Sequence, residues 1–373
     1  MQFTLQAAAN ESTVMRRKMA DAKHKLTDKL PKSFKKSKTP PAKITNDTIA
    51  EHREKILADG RKFKYPVQYS KHKILINAII VSAVVLVAFS IWSWVMLYRH
   101  QVTNDFFYSM TKTLPVPVAE VDGEKVPYQD YLRYVRSDIF YMTNQAKIDL
   151  QSDDGKSELQ HHKRKELNNV EKIAYARKLA REMSITVSSE EVETALNKSL
   201  VSKDGATISR SDYENSTLQP YFGWTIDEYK AVLGDQLLKQ KVSFAVDAAA
   251  KDKIAKAKSR LDKGEDFATI AREMSDDVAT KENGGGMSAN VDDLDSNIYI
   301  STASKLEPGK ISDVIRGVDA YYIVKLDSKV GDKVNFLLIK VSLTKFDKDF
   351  DALAKAGKIK EFIDVPVSEE DKS

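Results

Sequence analysis

No cysteine occurs among the 373 residues. That absence excludes disulfides, thiolate nucleophiles, cysteine-ligated zinc and iron–sulfur clusters. Any exported part of the chain must be held together by packing alone. Histidine is scarce as well: His24, His52, His72, His100, His161 and His162 are the full set, so residues 163–373 contain no imidazole. A calcium loop is also missing. Asp293, Asp295 and Asn297 copy its beginning, but Ile298 stands where Gly is required and Ser304 where Glu is needed. No metal and no other cofactor is expected.

What is present is 42% hydrophobic and 30% charged, enough for a membrane anchor and one or two globular domains with real cores. The net charge of +5 conceals an asymmetry. Residues 1–73 hold 18 Lys and Arg against 7 Asp and Glu, whereas the remainder holds 41 against 47. Between the two lies ILINAIIVSAVVLVAFSIWSWVMLY, Ile74 to Tyr98, 25 residues without a charge. A helix needs about 20 apolar residues to cross a bilayer core, so residues 74–98 predict a transmembrane helix. A cleaved signal peptide would carry a shorter apolar core, about 7–15 residues, close to the N-terminus. Arg61, Lys62, Lys64, Lys71 and Lys73 precede the span, and Arg99 and Lys112 are the near cations after it. The predicted topology is a single-pass cell-membrane protein with a cytoplasmic N-terminus and an extracytoplasmic C-terminal domain. Trp92, Trp94 and Tyr98 fall at the outer interface.

Residues 1–70 lack sustained apolar periodicity and include KLPKSFKKSKTPPAK, Lys29 to Lys43. They read as a basic disordered tail, with contact to anionic lipid as its sharper role. No aromatic residues interleave the lysines, so nucleic acid is not an expected partner.

Beyond the span, VAEVDGEKV (Val118 to Val126) alternates around Asp122-Gly123 as a hairpin does. A helix follows, with a core stripe of Tyr131, Leu132, Val135, Ile139 and Met142. Residues 151–166 are polar, and the adjacent His161 and His162 read as solvated. Helical periodicity resumes from Leu167 to Met183. Two later helices open with capping boxes, Ser188 with Glu191 and Thr225 with Glu228. The second, Trp224 to Val242, directs Ile226, Tyr229, Val232, Leu233, Leu237 and Leu238 to one face. The expected result is an all-helical layer with Tyr213, Tyr221, Phe222 and Trp224 in its grooves. Residues 251–330 change to an α+β pattern: helices Lys251 to Lys263 and Phe267 to Met274, a turn at Gly284–Gly286, a short helical stretch, a turn at Pro308-Gly309 and the strand DAYYIVKL. A last strand (Val334 to Leu343) and a helix from Asp347 to Ile363 complete the pattern.

The segments AKSRLDKGEDFATIAREMSDD, NGGGM, LEPGKISDVI and AYYIVKL follow one another across residues 256–326. In that order they resemble a parvulin-type (PpiC-like) peptidyl-prolyl isomerase domain. VAEVDGEKV with its helix, ITVSSEEVETAL and WTIDEYKAVLGDQLLKQKV resemble the N-terminal chaperone module of SurA/PrsA-type extracytoplasmic foldases. The resemblance implies an α+β protein. A transmembrane helix (74–98) would precede an all-helical chaperone module (116–243) with an inserted, degenerate parvulin-like domain (250–330). A C-terminal strand and helix (333–365) would pack back on that module.

It also implies a site, which in parvulins carries two histidines, a Cys or Asp, and an apolar floor. Asp277 matches the Cys/Asp position, Met287 the floor Leu and Tyr299 the floor Phe. The floor Met falls near Leu294 or Asp295. Tyr322 stands at one histidine position, and the other falls near Phe244. The implied partners are unfolded or newly exported polypeptides, met by Tyr221, Phe222 and Trp224 in the helical module. Three readings stay open: a folding factor with isomerase activity weak or lost, an active isomerase working through Asp277, and a non-catalytic membrane scaffold.

Overall fold

The computed structural model describes residues 45–64, 66–202, 205–290 and 297–366. The chain divides into two units, Met1–Val85 and Leu86–Ser373. In the first, α1 (Asn46–Lys64) is exposed along its described surface. This corrects the disordered reading of residues 1–70 over its described part. Helix-forming Ala, Glu, Lys and Arg and an acidic Asp47 in the first turn favour a helix here. The Lys29–Lys43 stretch lies outside the described residues. α2 (Pro66–Trp94) carries the apolar run. Among the described residues, Lys73–Arg99 is the one helical stretch long and apolar enough to cross a membrane.

The second unit starts inside α2. After Trp94 the helix widens into a π-helical turn, Val95–Arg99, that places Leu97 in the protein core at 1% exposure. The Tyr128 hydroxyl donates to the Leu97 carbonyl (2.6 Å), and the Tyr98 hydroxyl to that of Pro117 (2.7 Å). The end of the 74–98 run therefore belongs to the folded domain, because Leu97 finds a protein core to fill.

α3 (Asp105–Thr113) leads to the hairpin of β1 (Pro117–Val121) and β2 (Glu124–Pro127). Asp122 and Gly123 both adopt positive φ (47° and 86°), as a two-residue primed turn demands. β7 (Ile359–Glu361) adds to the free edge of β1, giving sheet order β2-β1-β7. The module is thus not all-helical. Its helices are α4 (Tyr128–Asn144), α5 (Asp153–Glu182), α6 (Ser189–Ser199), the short α7 (Arg210–Tyr213) and α8 (Gln219–Phe222), and α9 (Ile226–Val246). Both capping boxes are formed. Tyr131, Leu132 and Val135 of α4 meet Leu167, Val170 and Ala174 of α5 in one core. Inside it, Arg177 bridges Asp130 and Asp235 at 2.7 Å each, with Arg133 beside them.

α5 begins well before Leu167, since Ser152 caps it and Gly155 allows close approach to Asp149. His162, expected to be solvated, is half-buried. Its Nδ1 lies 2.8 Å from Asp138, whose carboxylate holds the imidazole pKa above its usual value against the opposing effect of burial.

The chain leaves this module at Asp247 and builds α10 (Ala248–Asp262), α11 (Phe267–Met274), β3 (Gly286–Asn290), α12 (Ile298–Lys305), β4 (Ile315–Arg316), β5 (Ala320–Val330) and β6 (Lys333–Ser342). The antiparallel sheet runs β3-β6-β5-β4. The expectation that β6 returns to the helical module is not met. It is an inner strand here, because its alternating side chains are apolar on both faces and each face meets helices. Ile339 and Val341 join Tyr321 and Ile323 under α10 and α11. Phe336 and Leu338 join Tyr322 and Val324 under α12. What does return is α13 (Lys345–Lys355), shorter than predicted, and then β7. Phe346 and Phe350 of α13 stack near Tyr175 of α5 at 5.2 and 6.0 Å.

Candidate functional site

Period-two alternation along β5 sends Tyr321 to one face of the four-stranded sheet and Tyr322 to the other. On the Tyr322 face the rings of Tyr322 and Tyr299 (α12) lie 4.9 Å apart, and Tyr299 is 6.3 Å from Phe336. Met287 on β3 pairs in register with Phe336 on β6 and packs on the same cluster. Gly317 covers the Tyr322 ring so closely that a Cβ there would meet Cε2 at 2.5 Å.

Asp277 follows α11 and is half-buried. The Thr280 hydroxyl donates to its Oδ2 at 2.5 Å, and the Lys281 N–H donates to its backbone carbonyl at 2.9 Å. Its charge reaches both tyrosines. Burial, then the carboxylate of Asp319, the neighbouring Tyr299 and Asp277, push the Tyr322 hydroxyl up to about 12. Burial and Asp277 also raise Tyr299. Both phenols therefore stay protonated at neutral pH and can donate hydrogen bonds. They cannot act as general bases there.

Three of the expected residues, Met287, Tyr299 and Tyr322, share this face, and the charge of Asp277 acts on both tyrosines. Leu294 lies outside the described residues. Phe244, expected near the first histidine position, is elsewhere: it sits in α9 against Tyr321 at 4.9 Å, on the opposite face, with Arg316 above it. Phe336 and Leu338 complete the apolar cluster on this face, and the sequence reading misses them because it assigns β6 to the other module. The alternating pattern VNFLLIKVS is the signal that could find them.

The loop before β3 makes the site possible. Gly284 (φ 76°) and Gly285 (φ 87°) pass where a Cβ would strike Ala268 at 2.5 Å and, closer still, the Leu338 carbonyl. Glycine alone fits that approach and that φ.

In the helical module, Phe222 stacks on Trp224 at 5.0 Å, and the Trp224 indole N–H donates to the Arg133 carbonyl at 3.2 Å. With Tyr108, Lys112, Arg136 and Phe140 these rings bound a cleft of about 320 Å³. Its wall is tied by Glu228, which caps α9 and accepts from Tyr108 (2.5 Å) and Lys112 (3.1 Å). Tyr221 is exposed and does not line the cleft.

The family model for a PPIC-type PPIase domain matches residues 237–328, and that for a SurA-like N-terminal domain matches residues 68–243. Foldase protein PrsA of Caldanaerobacter subterraneus subsp. tengcongensis is 28% identical over 268 residues, covering 66% of this chain and 87% of that protein. Foldase protein PrsA of Clostridium botulinum (strain Langeland) is 25% identical over 300 residues, with 66% and 88% covered. That of Clostridium kluyveri (strain ATCC 8527) reaches 39% identity, but over 80 residues and 24% of its length. A crystal structure of foldase protein PrsA from Streptococcus pneumoniae is matched at 20% identity over 50% of this chain and 72% of that one, with a TM-score of 0.16, too loose to carry an argument.

Proposed function

Because this chain carries a PPIC-type PPIase domain joined to a SurA-like N-terminal domain and is related in sequence to PrsA foldases, we propose that it is a membrane-anchored folding factor for newly exported polypeptides. The helix Lys73–Arg99 holds it to the membrane, with the basic N-terminal side cytoplasmic and the folded unit outside. The helical module binds unfolded segments through the Phe222–Trp224 cleft, and the sheet domain contributes prolyl recognition with little or no isomerase activity.

The observation that carries this reading is the Tyr299–Tyr322–Phe336 floor at Asp277 in a domain without histidine. Isomerisation must lower a barrier of about 18–20 kcal/mol by favouring the twisted amide over the planar one. An apolar, aromatic floor grips a proline ring in both states alike, which gives binding without much acceleration. Polar groups tuned to the twisted state supply the rate. Among the described residues these are protonated phenols, the Asp277 carboxylate already engaged by Thr280, and the Asp319 carboxylate that acts on Tyr322.

The test is a protease-coupled proline-peptide assay on the full chain in detergent, beside light-scattering suppression of an aggregating unfolded client. A near-uncatalysed rate with effective suppression supports the proposal. A rate far above background that collapses in Asp277→Asn overturns it in favour of an active isomerase. Failure to suppress aggregation removes the chaperone part.

A further inference from the structure

The last turns of α2 do not project from the folded unit on a linker. They are built into it. Leu97 is buried in the core, Tyr128 and Tyr98 tie the π-helical turn by two hydrogen bonds, and the Tyr98 and Tyr128 rings meet edge to face at 5.6 Å.

One turn back, Trp92 packs at 5.3 Å on Phe107, a core residue of α3 with 2% exposure. The neighbouring Phe106 has no place in that core. It stands 52% exposed, 6.3 Å from Trp92 and 6.4 Å from Phe89, both of which are also exposed. A contiguous aromatic surface thus runs from the apolar helix onto the first turn of α3.

Helical rise fixes its depth. About 20 residues at 1.5 Å each cross a hydrocarbon core of about 30 Å, so a core entered at Ile74 is left near Ser93. Phe106 touches the helix at Phe89 and Trp92, before that exit. Wherever those two rings meet the lipid interface, Phe106 meets it too. The adjacent charges fit a headgroup level: Asp105 is paired with Arg136, and Arg99 and His100 follow the helix. Aromatic rings favour this zone, where one side is apolar and the other wet.

We propose that Phe106, with Phe89 and Trp92, is a membrane-docking element whose partner is the bilayer interface. The proposal rests on the reading of Lys73–Arg99 as a membrane span.

The absence of native cysteine makes the test direct. Single-cysteine variants of the full chain, Val84→Cys, Phe106→Cys and Val318→Cys, are spin-labelled and reconstituted into phosphatidylcholine/phosphatidylglycerol vesicles. Collision with oxygen, which partitions into lipid, is compared with collision with a water-soluble nickel chelate. Val84 reports the span, and Val318, 79% exposed, is the water reference. The expected result is nickel accessibility at 106 several-fold below that at 318, with 84 lower still. Accessibility at 106 equal to that at 318, with 84 protected, overturns the docking element and leaves the anchor standing. Accessibility at 84 equal to that at 318 removes the anchor and the docking element together. Phe106→Trp gives a second measurement that preserves the aromatic ring. Brominated lipids should quench its added fluorescence, and unquenched added fluorescence overturns the proposal.

Discussion

The carboxylate of Asp247 accepts the backbone N–H of Lys345 at 3.0 Å, across a sequence separation of 98 residues. The same oxygen accepts the Thr344 N–H at 2.8 Å, and the other caps α10 by accepting the Ala250 N–H at 3.0 Å. Asp247 therefore sits where the chain leaves the helical module and ties that exit to the point of return. Its near-complete burial, at 3% exposure, disfavours the charge, but the three N–H donors outweigh this and hold its carboxyl below the usual range.

Asp247→Ala should cost about 2–4 kcal/mol, the scale of losing charge-assisted hydrogen bonds together with a helix cap. Asp247→Asn should cost less. Because the folded-state pKa is depressed, the wild-type contribution is present above the unfolded value and lost as pH falls through the folded one. Urea denaturation of both proteins at pH 7 and pH 3 should therefore show the gap between wild type and Ala narrowing in acid.

Gly285→Ala should destabilise the sheet domain by more than about 2 kcal/mol. The new methyl group would collide with the Leu338 carbonyl in a backbone conformation of φ 87° that L-residues rarely adopt. Hydrogen exchange should find the loss concentrated in β3 and β6, with α4 and α5 little affected.

Glu171, at 3% exposure, faces Arg164 and Glu361. Burial, reinforced by the Glu361 charge and opposed by Arg164, raises its carboxyl to about 8 from 4.5. The folded state then holds the proton more tightly than the unfolded one. Its contribution is full below the unfolded pKa and is lost as pH rises through about 8. Glu171→Gln should remove that decline and be the more stable protein at pH 9, by at most about 5 kcal/mol. Denaturation midpoints from pH 5 to 9 measure it.

Leu97→Ala should cost about 2–5 kcal/mol, as deletion of a buried leucine does, although the residue lies in a run that reads as membrane span. Thermal unfolding in detergent would detect the loss. A lipid-facing leucine would show little change.

Features set by neighbours along the chain are legible in the residues themselves. The boxes at Ser188/Glu191 and Thr225/Glu228, the Asp122-Gly123 hairpin and the α4 stripe each depend on a few adjacent residues, and each forms where its residues place it. The motif order likewise points to Met287, Tyr299 and Tyr322, which pack in one cluster on one sheet face. α1 escapes such a reading because the lack of sustained apolar periodicity does not exclude a helix, which its residue propensities and Asp47 in the first turn favour.

The sequence by itself determined the apolar run, the charge asymmetry about it and the lack of any imidazole after residue 162, since all of these are properties of composition and local order. Tertiary structure alone decided that β6 joins β3 and β5, that Phe244 and Tyr322 lie on opposite faces of one sheet, that Asp247 closes both crossings, and that Leu97 belongs to a protein core and not to lipid. An apolar side chain in a sequence shows only that it avoids water. Whether it is buried by lipid, by a neighbouring strand or by a distant helix depends on which surface the fold brings to it.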